Sequence, residues 1–351
     1  MSTLTVALAS LGGVVLAGVI AHGAWQARKA GPRRAQVLPK EEPREPVMGE
    51  ALPVEPGHAH DSAELPGQGS ERRANRRIVN RIDALIDSIA TLSLDAPVNG
   101  VSALAHLPAT RRAGGKPLLI EGLNAETGEW EAPQSGQRYG EFQAGMQLAN
   151  RTGALNEIEY SEFVQKVQAF AEGIGAFAQF PDMLEAVATA RELDAFAGQH
   201  DAQLAVHLQA RSAAWSVGYI QQHAGRHGFV PGVVPGRLVM PSAEEGAPPV
   251  LTLTFDSQAA LADDPDVVAV RDVTLAFDVP QTDPKVEPFI AWQASAKALS
   301  LGMDASIVDD AGHPLSPEGF TAIGNELGQL YVALEARDLA AGSAAARRLF
   351  S

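Results

Sequence analysis

The chain has 351 residues, a formal charge of -15 and no cysteine. The missing cysteine excludes a disulfide framework, thiolate metal sites and cysteine nucleophiles, and suits a reducing compartment. Residues 1–81 carry 11 Lys+Arg against 8 Asp+Glu, whereas residues 82–351 carry 16 against 34; an acidic body of this kind repels polyphosphate, which argues against nucleic acid as a partner.

Thr3 to Trp25 is an uninterrupted apolar stretch whose only ionisable side chain is His22, and Arg28, Lys29, Arg33 and Arg34 follow it. A helix needs roughly 20 apolar residues to cross a bilayer, and a cytoplasmic excess of Lys and Arg sets its direction. Residues 1–25 are therefore expected to be a single-pass anchor, with Met1 outside and the rest of the chain in the cytoplasm. No Lys or Arg precedes Leu4, and Ala21 to Trp25 is a poor cleavage site, so a secretory signal peptide fits less well.

Residues 26–77 are rich in Pro, Glu, Arg and Gly without apolar periodicity. Such a segment buries too little apolar surface to offset its ordering entropy and reads as a disordered linker. At flexible-chain dimensions, fifty residues span about 40 Å root-mean-square.

Residues 78–200 read as an additional α+β region. Behind the run Arg72, Arg73, Arg76, Arg77 and Arg81, the residues Ile78, Ile82, Leu85, Ile86 and Ile89 recur at helix-like spacing. Pro117 to Leu123 and Tyr139 to Leu148 read as strands, with a turn at Asn124–Gly128. Phe163–Ala178 and Pro181–Ala197 read as helices, the second with Asp182 and Glu185 placed favourably in its first turn.

Residues 201–336 give cleaner signals. Leu204, Val206 and Leu208 alternate with Gln203, Ala205, His207 and Gln209; Val273, Leu275, Phe277 and Val279 alternate with Asp272, Thr274, Ala276 and Asp278. That period of two marks half-buried strands. Val250–Phe255 and Ala305–Val308 are further strands, and helices are expected from Ser216 to about His227 and over Pro284–Leu301. Ser316-Pro317-Glu318 sets a capping residue, a first-turn proline and an acidic group ahead of Phe320, Ile323, Leu327, Leu330 and Leu334. The order is βαβββαβα without long crossovers, which implies a mostly antiparallel sheet with helices packed on one face. Residues 337–351 are left as a tail. The fold class is α+β behind an N-terminal transmembrane helix and a linker.

Residues 201–336 resemble the C-terminal domain of ZipA, a family of bacterial cell-division membrane anchors. The likeness rests on Asp272-Val-Thr-Leu-Ala-Phe-Asp-Val-Pro280, on Ile307-Val-Asp-Asp310 with Leu315-Ser-Pro317 opening the last helix, and on the Gly228-Phe229 helix exit. The resemblance implies binding of the C-terminal tail of FtsZ, the tubulin-like GTPase of the division ring, on an open sheet face, and its tethering at the septal inner membrane. The implied contact residues are Gln203, Ala205, Val234, Gly236, Phe255, Ser257, Thr274 and Ala276, with Leu253 expected on the same face. Gln203, Gly236, Ser257 and Ala276 are smaller or more polar than the family's pattern. Residues 78–200 fall outside the likeness and could alternatively serve as an adaptor for another division or envelope protein.

No enzyme is expected, nor a cofactor, metal or small-molecule substrate. The sequence lacks G-x-S-x-G, G-x-x-x-x-G-K-(S/T) and H-E-x-x-H. Gly173-Ile-Gly-Ala-Phe-Ala178 fits a loose dinucleotide fingerprint but sits in a helical pattern rather than after a strand. His223 and His227 lie four apart on an expected helix without an acidic partner, and read as a surface pair. Asp263, Asp264 and Asp266 read as a solvated turn.

Overall fold

The computed structural model describes residues 81–351, apart from 263 and 265–267. The expected anchor, the linker and part of the Asp263–Asp266 turn lie outside the described residues. No helix among the described residues is long and apolar enough to cross a membrane.

Two lobes with the same architecture follow one another. In the N lobe, β1 (Asp87–Asn99) leads into α1 (Gly100–His106), whose first turn is capped by the Asn99 side chain accepting from Ser102 N–H. Next come β2 (Arg112–Ala113), β3 (Lys116–Asn124), β4 (Trp130–Glu131), β5 (Arg138–Gln147) and the small hairpin β6 (Ala149–Asn150) and β7 (Gly153–Ala154). Helix α2 (Glu157–Ile174) starts at a reciprocal capping box between Asn156 and Glu159 and stops at Gly175, whose φ of 70° suits a residue without a Cβ. Strand β8 (Ala176–Gln179) and α3 (Met183–His200) complete the lobe. The sheet order is β2-β3-β5-β1-β8, with β4 also on β3, and its pairs are antiparallel.

The C lobe repeats this plan with β9 (Gln203–Ala210), α4 (Val217–Gly225), β10 (Val230–Pro231), β11 (Arg237–Met240), β12 (Leu251–Thr254), α5 (Ser257–Ala260), β13 (Asp272–Asp278), α6 (Pro288–Met303), β14 (Ala305–Val308) and α7 (Pro317–Glu335). Its order is β10-β11-β12-β13-β9-β14, again antiparallel. In each lobe the first strand lies between the last strand and the one before the long helix. A left-handed residue, Gly175 or Asp304, ends that helix and starts the last strand. The fold is thus duplicated within the chain.

The register makes the lobes comparable residue by residue. Ala176 pairs Leu94 as Ala305 pairs Ala210, so Leu92 corresponds to Leu208 and Ile89 to Ala205. Following the ladders outward, Gly145 corresponds to Ala276, Leu119 to Thr252 and Glu121 to Thr254.

Each sheet buries one face. In the C lobe Val206, Leu208, Leu253, Val273, Leu275 and Phe277 form one core with Ile220 of α4, Trp292 and Leu299 of α6 and Phe320 of α7. In the N lobe Ala90, Leu92, Phe142, Ala144 and Met146 pack with Phe163, Val167 and Phe170 of α2. The helical reading of Ile78 to Ile89 does not hold over the described part: Asp87 opens β1, and Asp83 forms a turn that accepts from Ile86 N–H and Asp87 N–H. The helix expected over Phe163–Ala178 ends at Ile174, because Gly175 reverses the chain into β8. The expected tail, residues 337–351, belongs to the N lobe's core instead: Leu339, Ala346, Leu349 and Phe350 are buried there, the last three in or beside α8 (Ala344–Leu349).

Candidate functional site

Antiparallel parity decides which side chains share the C lobe's outer face. Ala205 pairs Ala276, which pairs Thr252; His207 pairs Thr274, which pairs Thr254. Arg237 and Val239 of β11 extend the rows opposite Thr254 and Thr252. The result is a floor of small side chains, half-buried at Ala205, Thr252, Thr254, Thr274 and Ala276. Gln203, expected on the face, lies exposed at the end of β9.

Three expected contact residues need correction. Leu253 is fully buried in the core, because its neighbours Thr252 and Thr254 take the outward positions. Phe255 packs partly buried against that same core. Gly236 is buried with φ of 78°, and a Cβ there would lie 2.6 Å from the Phe255 carbonyl oxygen, so it offers no groove wall. Val234, 54% exposed, precedes β11, and the exposed Ser257 opens α5, both beyond the central floor.

His207, Thr252, Thr254, Val239 and Arg237 join this face beyond the expected residues. His207 was already in the polar register of its strand, and the threonines follow once Leu253 is placed inward. The His207 ring lies between Asp272 Oδ1 and Asp310 Oδ1, both at 3.1 Å, with Thr274 Oγ1 3.2 Å from Nδ1. Partial burial opposes the imidazolium, but the hydrogen bonds and charges of the two carboxylates outweigh it and hold His207 above the ordinary histidine value. A ring whose two nitrogens each face a carboxylate is poorly placed to act as a base for the Thr274 hydroxyl.

Other sequence signals resolve into packing. Gly173 lets α1 approach α2, since a Cβ there would meet His106 at 2.3 Å, and Gly175 ends the helix. His223 packs against Tyr219 with the rings tilted by 42° and their centroids 4.3 Å apart, and burial lowers its pKa. Among the described residues no group of three or more acidic or histidine side chains is arranged to hold a metal ion.

The corresponding outer face of the N lobe differs in one respect: it is covered at one position, while Thr91 and Ser93 on the same face stay exposed. Ile82 lies on Gly145, where a Cβ would come within 2.8 Å of its Cγ2. Ile82 N–H donates to Glu121 Oε1 at 3.1 Å. Beside this contact a groove of about 890 Å³ runs along the outer edge of β3, lined by Leu107, Arg111, Leu119, Trp130 and Pro133. Leu118 N–H bonds Arg111 and Asn124 N–H bonds Glu129, so Ile120 between them also points its backbone outward, without a backbone partner among the described residues.

No family model matches the chain, and no curated protein matches it in sequence.

Proposed function

We propose that the chain is a non-enzymatic membrane tether whose C lobe holds the C-terminal tail of FtsZ on its outer sheet face. The observation that carries this reading is the contrast between the lobes. The N lobe's face holds the Ile82 side chain on Gly145, and the matching position in the C lobe, Ala276, is half-buried with no such side chain on it among the described residues. A sheet covered by helices on one side leaves its other face for water or a partner, and small residues let an extended peptide approach the strands closely. The anchor and linker read from the sequence would place this face at the cytoplasmic side of the inner membrane, at the septum.

A floor of Ala and Thr binds weakly. Burying about 300 Å² of apolar peptide at about 25 cal/mol/Å² gives about 7 kcal/mol before the costs of association, which sets micromolar binding as the upper limit. Many tethered contacts along a polymer compensate for that weakness. Calorimetric titration of the whole chain with an FtsZ tail peptide tests the proposal. Saturable binding supports it, and no heat at millimolar peptide removes it.

The second reading, an adaptor working through residues 78–200, draws support from the groove beside Ile120. An extended segment of another protein would add there as a strand, taking the Ile120 backbone groups and packing on Trp130 and Leu119. Deleting the C lobe's binding face by substitution while septal recruitment persists would favour it.

A further inference from the structure

The described chain begins by crossing the N lobe's outer face. The Arg81 guanidinium donates to the Trp130 carbonyl, and the Arg81 carbonyl accepts from Arg348 Nη1 at 2.7 Å. Ile82 then covers the bare Cα of Gly145, a position flanked in the ladder by Ile89 and Leu119. The backbone N–H of Ile82 reaches Glu121, a carboxylate only 5% exposed whose other oxygen accepts from Gln143 Nε2 at 2.8 Å. At Asp83 the chain turns, its N–H donating to Asp87 Oδ2 at 2.8 Å, and enters β1. Among the described residues no such crossing is made over the C lobe, where β9 follows α3 within a few residues and Val279 N–H bonds the Ala202 carbonyl.

We infer that the N lobe is a second peptide-binding lobe kept occupied by its own chain, with Arg81-Ile82 seated at the position that stays open at Ala276 in the C lobe. The seat consists of an aliphatic cleft over a glycine and a buried carboxylate beside it. A buried carboxylate needs hydrogen-bond donors, and Glu121 takes them from the Ile82 backbone N–H and the Gln143 amide. The ligand class is a basic–aliphatic peptide that gives its backbone N–H to Glu121, its aliphatic side chain to Gly145 and its guanidinium to the Trp130 carbonyl, as Arg81-Ile82 does. Among the described residues, this position is therefore filled in the N lobe and unfilled in the C lobe. This inference rests on the duplicated register and stands apart from the division-ring reading.

The test uses the whole chain and a blocked, fluorescent peptide of residues 76–84, Arg-Arg-Ile-Val-Asn-Arg-Ile-Asp-Ala. In the Ile82→Gly variant the seat is vacated, and the peptide in trans binds it about tenfold tighter or more than it binds wild type, whose own segment competes. Adding Gly145→Val to that variant fills the seat and abolishes binding. Equal binding to wild type and Ile82→Gly, or none to a folded Ile82→Gly protein, overturns the inference. Trypsin gives an independent readout, because cleavage after Arg81 requires the segment to lift. Gly145→Ala crowds Ile82 and speeds cleavage after Arg81 several-fold; an unchanged rate at Arg81 counts against it. Neither readout involves FtsZ, so failure here leaves the C lobe proposal standing.

Discussion

Arg348 and Asp87 form a buried, two-pronged ion pair, with Nη2 to Oδ1 at 2.5 Å and Nη1 to Oδ2 at 2.8 Å. The pair joins α8 to the first strand of the N lobe, and Gln147 Nε2 reinforces it by donating to the Arg348 carbonyl at 2.7 Å. The chain therefore leaves the C lobe and closes on the N lobe. Arg347 reaches Glu244 and the Gln281 carbonyl, so the same short helix also touches the C lobe. The lobes are further joined by Arg151, which pairs Asp201 and Asp278 at 2.5 and 2.6 Å.

Removing one partner of a buried pair strands the other charge. Arg348→Met is expected to cost about 3–5 kcal/mol in stability, measured by denaturant unfolding. Asp87→Leu combined with Arg348→Met should lose less than Arg348→Met alone, because no unpaired charge then stays buried. A single-variant loss under about 1 kcal/mol would show that the pair is not held dry.

The outer and inner positions of the C lobe sheet separate binding from stability. Leu253→Ala opens a cavity in the core and should cost about 2–5 kcal/mol. Ala276→Arg projects a long charged side chain over the floor; it should abolish tail-peptide binding while shifting stability by less than about 1 kcal/mol. Thermal melts and calorimetry on both variants check this. The opposite pattern would mean that the register of β12 is inverted.

His207 reports on the same face through pH. Its folded pKa is raised above the unfolded value near 6.5. The stability it adds is therefore complete below pH 6.5 and is lost as pH rises through the folded pKa. NMR titration of the imidazole should give a midpoint above 6.5, and Asp310→Asn should lower it by removing one of the two carboxylates facing the ring. A midpoint at or below 6.5 in the wild type contradicts the bridged arrangement.

Much of the C lobe was legible from alternation alone. Leu204 to Leu208 and Val273 to Val279 could only be half-buried strands, and Ser316-Pro317-Glu318 marked the start of α7 correctly. The N lobe was harder, because its signals are local and ambiguous. Ile82, Leu85, Ile86 and Ile89 share a helical spacing, yet Ile82 serves the outer face, Ile86 the core and Ile89 a strand. Strand β8 is four residues long and follows α2 after a single glycine, too short to break the helical pattern around it. Leu253 turns on parity. Its strand is legible, but which of its faces matches Thr274 depends on a pairing that no local pattern specifies. The tail's role was invisible for a similar reason, since Arg348 and Asp87 lie 261 residues apart.

The most direct test of the central claim is an amide-shift map of the whole chain during titration with the FtsZ tail peptide. Binding on the C lobe face gives saturable shifts at Ala205, His207, Thr252, Thr254, Thr274 and Ala276, with Gly145 and Leu119 unmoved. Shifts confined to the groove around Ile120 and Trp130, or the absence of saturable shifts on the C lobe face, would contradict it.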